Sequence, residues 1–439
     1  MRKAHLFIAG FITLLSCRMA RADLFEYVRR EEPAYRWEKL QEKALPKGKM
    51  VDLKLTSQVW RGIKWEHRIV VFIPAVIEFP QTAVLLNTGG DATEADRSLA
   101  AKRIDSLGCI YAILYQIPNQ PLFDGLTEDR LIAYTFAEFL KSNDETWPLL
   151  FPMAKSVIKA MDALQEFSRQ ELPQQIEDFI ITGASKRGWT TWLTAVADHR
   201  VKAIMPMVYD NLNIPAQMEH QLATWGTYSE QIDEYTSLGL QAKLSTPGGQ
   251  RLVKLIDPYC YREKLTMPKL IINATNDRYW TLDALRLYWD DLPGIKHVLY
   301  VPNVGHGFQR AGVQGSTDLD SALAWNKLLS TTIGYARLVA AGVSLPALSW
   351  DYGNPEANPR TIRLQTEPQA KQALLWLAKS DTRDFRSARW EAEEMTRKEN
   401  HFTVKVSVPP RGFAAFFLEA TFKVNGRALY LSTPVQIVP

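Results

Sequence analysis

The sequence predicts an α/β fold: a doubly covered, mostly parallel sheet with a helical cap insertion, followed by a small β-sandwich. Three observations carry this. From residue 69 to about 340, short continuous apolar runs alternate with stretches of helical spacing, as in a parallel sheet covered on both faces. Residues 211 to about 265 are rich in Gln, Tyr and Leu and too long for a simple crossover, which predicts an inserted cap. After Trp350 the runs become short and alternating, the pattern of an antiparallel module.

The N-terminus differs from the rest. Arg2 and Lys3 precede an apolar run from Ala4 to Leu15, then Ala20-Arg21-Ala22. A basic end, a short apolar stretch and a small-x-small site make a secretory signal peptide over residues 1–22. The run is too short for a stable membrane anchor, so no transmembrane segment is expected in the mature chain, which is expected to begin near Asp23 and to be periplasmic or secreted. Leu14-Leu15-Ser16-Cys17 also fits a lipoprotein signal, with Cys17 acylated. Residues 23 to about 50 are charged, with scattered aromatics, and read as a helical lead-in. Strands follow at Ile69–Pro74, Ala83–Asn87 and Cys109–Tyr115, with a helix at about 93–106 between the last two. Residues 149–168 read as a helix, Phe179–Thr182 as a strand, the stretch from Lys186 as a helix, and Ala203–Val208 as a strand in which Pro206 sits awkwardly. Beyond the cap come a strand at Leu270–Asn273, a helix near 281–290, a strand at His297–Val301 and a last helix over about 318–340. This defines a domain over 23–350. Asp351 to Pro359 reads as a linker, and 360–439 as an immunoglobulin- or fibronectin-like module with a tight hairpin at Asn425-Gly426.

Of the 439 residues, 46% are hydrophobic and 23% charged, and the net charge is +4. So small an excess does not argue for nucleic acid as a partner. No cysteine/histidine group has metal-site spacing, and Gly-x-Gly-x-x-Gly is absent, so no cofactor is expected. Removing Cys17 leaves Cys109 and Cys260. Export permits a disulfide between them, whereas a strand position for Cys109 favours a buried thiol.

The chemistry centres on Ile181-Thr182-Gly183-Ala184-Ser185-Lys186-Arg187-Gly188-Trp189, which joins a strand directly to a helix. Such a turn holds a serine strained and exposed at the sheet edge, with small neighbours where strand and helix cross. The stretch departs from Gly-x-Ser-x-Gly: Arg187 occupies the second glycine position and Gly188 comes one residue later. A serine needs a base, and the base an orienting acid. Asp277, after the strand at 270–273, and His306, in Val304-Gly305-His306-Gly307, follow in the order Ser, Asp, His, each beyond a strand end. Asp210, after the preceding strand, is the alternative acid, and Asp283 a further rival. Backbone amides of Lys186, Gly89 and Gly90 are the expected oxyanion donors. The side chains of Lys186 and Arg187 could bind a substrate carboxylate, or simply be a solvated helix start.

Several uncommon words occur in one order: Gln116-Ile117-Pro118-Asn119-Gln120-Pro121-Leu122; Thr146-Trp147-Pro148-Leu149-Leu150-Phe151-Pro152-Met153 with Ala160-Met161-Asp162; the Gly183–Trp189 turn; and Val208-Tyr209-Asp210. In these the chain resembles the PhoPQ-activated pathogenicity-related protein family, from about residue 25 to the C-terminus. The resemblance implies an α/β-hydrolase, often exported, with a β-rich trailing module, and a triad mapping onto Ser185, Asp277 and His306. The shifted Gly188 is similar to the Gly-x-Ser-x-x-Gly turn of glucuronoyl esterases. Three functions compete: an esterase acting through an acyl-enzyme on a small-molecule or polymer-linked acyl substrate, a peptidase or aminopeptidase on the same triad, and a non-catalytic, virulence-related surface protein that retains the fold.

Overall fold

The computed structural model describes residues 23–310 and 317–439. The expected signal segment, with Cys17, lies outside them. Helix α1 (Leu24–Arg29) opens the described chain, with the Asp23 side chain accepting the Glu26 N–H at 2.8 Å as an N-cap does. The helical lead-in expected to about residue 50 ends there. Strands β1 (Arg36–Leu45), β2 (Gly48–Trp60) and β3 (Ile63–Pro74) follow as an antiparallel meander. The physical reason is that β1 is an edge strand exposed along most of its length, so it has no buried face to impose an apolar alternation.

The alternating part begins with β4 (Thr82–Asn87), α2 (Glu94–Ala101), β5 (Ile110–Leu114), α3 (Glu128–Ser142), α4 (Leu150–Glu171), β6 (Asp178–Ala184), α5 (Lys186–Ala197) and β7 (Val201–Met207). The cap stretch holds α6 (Ile214–Trp225), α7 (Asp233–Thr236), α8 (Leu240–Lys243) and α9 (Pro247–Ile256). Then come β8 (Lys269–Ala274), β9 (Lys296–Val301) and α10 (Asp318–Ala340). Near 281–290 only a short 3-10 turn forms, Ala284–Leu287, in place of the expected helix. The sheet runs β1-β2-β3-β5-β4-β6-β7-β8-β9, parallel from β5 onward. This is the α/β-hydrolase arrangement. Pro206 is tolerated inside β7 because the β7–β8 ladder pairs only Ile204 with Lys269 and Met207 with Ile272, and Pro206 falls between them.

The C-terminal strands are β10 (Ala347–Asp351), β11 (Arg360–Glu367), β12 (Gln372–Ser380), β13 (Glu391–Glu394), β14 (Thr396–Lys398), β15 (His401–Val406), β16 (Phe413–Val424), β17 (Arg427–Ser432) and β18 (Gln436–Val438). They make two antiparallel sheets. One, β10-β11-β15-β14, stands alone. The other, β17-β16-β12-β13 with β18 beside β16, continues the central sheet where Ser432 pairs with Val298 of β9. Strand β10 precedes the stretch read as a linker, yet pairs with β11 beyond it. Ile362, Leu364, Phe402, Phe416 and Leu418 of the two sheets share one buried cluster with Leu299 and Val301 of β9. Cys109 and Cys260 are both free thiols, one buried and one exposed. Among the described residues no helix is long and apolar enough to cross a membrane.

Candidate active site

Strand β6 ends at Ala184 and α5 begins at Lys186, leaving Ser185 alone in the turn with φ 58° and ψ −126°. For a residue with a side chain this backbone costs about 1–3 kcal/mol. Glycines make the crossing fit. A Cβ on Gly183 would lie 2.5 Å from Asn87 Nδ2, and one on Gly188 would lie 2.9 Å from the Met207 carbonyl oxygen. The close approach to β7 thus falls on Gly188, which explains the one-residue shift in the motif.

Arg187, in the usual glycine position, turns away and packs on Gly89, where any Cβ would collide with its guanidinium. It forks Glu128 with two bonds of 2.7 Å and donates from Nε to the Ile117 carbonyl at 2.5 Å. Lys186 Nζ reaches Glu128 at 2.8 Å and Asp129 at 2.9 Å. Both cations are buried, so neither the solvated helix start nor a free carboxylate receptor describes them. Gln120 fixes Glu128, accepting its backbone N–H at 2.9 Å and donating to its side chain at 2.5 Å. Burial alone would raise the Glu128 pKa, but Arg187 and Lys186 hold it well below the usual carboxylate range.

Asp277 follows β8 and His306 follows β9. His306 Nδ1 donates to Asp277 Oδ2 at 2.7 Å, while Asp277 Oδ1 accepts the Tyr279 N–H at 2.8 Å. Tyr279 also stacks on the imidazole, with ring centroids 4.0 Å apart. His306 Nε2 is buried without a hydrogen-bond partner, so the contact from the Ser185 hydroxyl is open in this structure. Asp210 is bound elsewhere: Tyr288 donates to it at 2.5 Å and Asn273 at 2.7 Å. Burial pushes its pKa up to about 7. Asp283 pairs with His220 at 2.7 Å. Of the three candidate acids, Asp277 is the one bonded to His306. Gly90 has no steric reason to be glycine, since a Cβ there meets nothing within 4 Å.

Two cavities flank this loop. An apolar cleft opens on Ser185, roofed by α6, α8 and α9 and bounded by α3. A smaller cavity lies beside Asp277, with Asp210, Asn273, Tyr300, Arg383 and Arg386 among its walls. Trp280 borders both.

The sequence model of the PhoPQ-activated pathogenicity-related protein family matches residues 24–386. The chain belongs to that family. It is 31% identical over 409 residues to autocrine proliferation repressor protein A of Dictyostelium discoideum, covering 84% of this chain and 80% of that protein. Among solved structures, an acetyl xylan esterase from Paenibacillus sp. R4 matches with a TM-score of 0.47 and 14% identity, over 64% of this chain and 86% of the other. The brefeldin A esterase, a bacterial homologue of human hormone-sensitive lipase, matches with a TM-score of 0.41 and 13% identity, over 72% and 82%. Two of the uncommon words, Gln116–Leu122 and Val208-Tyr209-Asp210, lie beside the Ser185 turn. Ile117 and Gln120 hold the Arg187–Glu128 pair, and Tyr209 stacks on Trp189 at 5.0 Å. Sequence reasoning missed Glu128, Asp129 and Tyr279. A signal for the first two existed: two adjacent cations beside a buried turn require nearby carboxylates, and Glu128-Asp129 opens the helix after the Gln116–Leu122 word. Tyr279 had no such signal.

Proposed function

We propose that the chain is an exported serine hydrolase that cleaves a carboxylic ester through an acyl-enzyme. The observation that carries this is the strained Ser185 at the end of β6, together with a bonded Asp277–His306 pair at the ends of β8 and β9. Ser185 Oγ attacks the ester carbonyl, and His306 Nε2 takes its proton. The oxyanion is received by the Lys186 N–H at the start of α5 and by an amide of Gly89 or Gly90, where the helix N-terminus also favours negative charge. His306 then protonates the departing alkoxide, and water, activated by the same imidazole, releases the acid. Asp277 orients His306 and stays ionised.

An aminopeptidase on the same residues would need a free carboxylate for the substrate's terminal amine. Asp129 is the carboxylate in the cleft lining among the described residues, and it is engaged by Lys186 and by the Tyr235 hydroxyl. That favours a neutral ester. Export rests on the Arg2-Lys3 end, the apolar run and Ala20-Arg21-Ala22; Asp23, the residue left first by cleavage, caps α1. The deciding experiment is labelling of the mature protein with a fluorophosphonate. The expected result is one adduct on Ser185, lost in Ser185→Ala and in His306→Ala. Folded protein that takes no label would reject the mechanism.

A further inference from the structure

The cleft over Ser185 says what kind of group it receives. Its walls are mainly apolar: Phe136 from α3, Trp189 from α5, Ile214 and Met218 from α6, Leu252 and Ile256 from α9. Lys186 and Asp129 are its charged groups among the described residues, and they are paired with each other at 2.9 Å. The Tyr235 hydroxyl donates to Asp129 at 3.0 Å, and the Gln241 amide donates to Thr236 at 3.0 Å. The Tyr209 hydroxyl, Asn211 Oδ1 and Gln241 Oε1 are the buried lining atoms left without a partner among the described residues. A carboxylate-bearing group would find no free cation here. An apolar chain gains by leaving water along the larger, apolar part of the wall.

The orientation of the substrate follows from who lines the cleft. Ser185 and Lys186 do; His306, among the described residues, does not. The imidazole must face the leaving alcohol to protonate it, and Tyr279, which is part of the wall, stacks on it. The alcohol therefore departs on the His306 side, and the acyl portion points into the cleft.

We infer that the cleft is an acyl-chain pocket and that the substrates are esters of neutral acids with an extended apolar chain. This rests on the serine-hydrolase reading. The acyl chain lies between α6 and α9 while Ser185 Oγ forms its bond to the carbonyl carbon. The bond to the leaving oxygen then breaks, with the proton returned by His306, and water later replaces Ser185 to release the free acid.

The test is one reagent series read in two ways. Alkyl fluorophosphonates from methyl to octyl are timed against the mature enzyme, and p-nitrophenyl esters from acetate to octanoate are assayed beside acetates of alcohols of the same lengths. Labelling rate and kcat/KM are expected to rise about threefold per acyl methylene, hence by well over tenfold from butanoyl to octanoyl, with no comparable gain along the alcohol series. Met218→Trp and Leu252→Trp, which fill the cleft from two different helices, should each lower the octanoyl-to-butanoyl ratio by about tenfold or more, on the same burial scale. Equal labelling along the series, or a gain confined to the alcohol side, overturns the acyl pocket while Ser185 remains a nucleophile. Absence of labelling by every member removes the serine mechanism, and the pocket assignment with it. The wild-type series decides the matter even if a tryptophan variant fails to fold.

Discussion

The two cavities beside Trp280 are built oppositely. On the Ser185 side the walls are apolar, and the two charges in the lining, Lys186 and Asp129, are paired with each other, while the adjacent Arg187 pairs with Glu128. On the Asp277 side Asp210, Arg383 and Arg386 join the lining, and Asp210 is buried with only the neutral donors Tyr288 and Asn273 bonded to it. The contrast assigns different work to two carboxylates a strand apart. Asp277 accepts from the His306 ring and from a backbone N–H, which places it to orient the imidazole. Asp210, deprived of water and of a cation, has its pKa pushed up to about 7 and is poorly suited to stabilise an imidazolium.

The largest effect should come from exchanging those two acids. Asp277→Asn removes the acceptor that sets the His306 tautomer, and by analogy with other triads should cut ester kcat/KM by about 10³–10⁴-fold. Asp210→Asn keeps the shape of its site and should change kcat/KM by less than about tenfold. Steady-state assays on the two variants decide between them. If Asp210→Asn is the crippling change, the division of labour drawn from the cavities is wrong.

What was legible in the sequence follows the same contrast. Buried parallel strands announce themselves as apolar runs, so β4 to β9 and the residues just beyond their ends, Ser185, Asp277 and His306, could be located. Exposed or short strands carry no such run. Hence β1 reads as helix from its sequence, and β13 and β14, exposed throughout, leave no mark in it. The merging of the C-terminal strands with the central sheet rests on one register pair, Ser432 with Val298, which no local pattern encodes. The partners of Lys186 and Arg187 lay some 60 residues upstream, a pairing set by tertiary packing rather than by spacing.

The next effect is on stability against pH. The Asp210 pKa is raised by burial from 3.8 to about 7. Between about pH 4 and pH 7 the unfolded chain has released this proton and the folded chain keeps it, so Asp210 contributes a loss of stability as pH rises through that window. Asp210→Asn should remove that contribution, worth on the order of a few kcal/mol. Denaturant midpoints of wild type and variant should therefore diverge from pH 4 to pH 7, with the variant gaining. Parallel curves would mean that Asp210 is solvated in the folded protein through the cavity it lines.

The smallest effect probes the balanced side. Glu128 is partly exposed while Arg187 and Lys186 are buried, so Glu128→Gln removes a screened partner from two desolvated cations. The expected destabilisation is about 1–3 kcal/mol, between the values for surface and buried pairs. The double change Glu128→Gln with Arg187→Met takes out both the carboxylate and the cation it forks. It should be less destabilising than the two single changes added together, by about 1–2 kcal/mol of coupling. Lys186 keeps Asp129 throughout, so the cycle isolates the Arg187 fork. Strictly additive denaturant midpoints would mean that Arg187 is held by Gly89 and the Ile117 carbonyl alone, and that the fork to Glu128 adds nothing to stability.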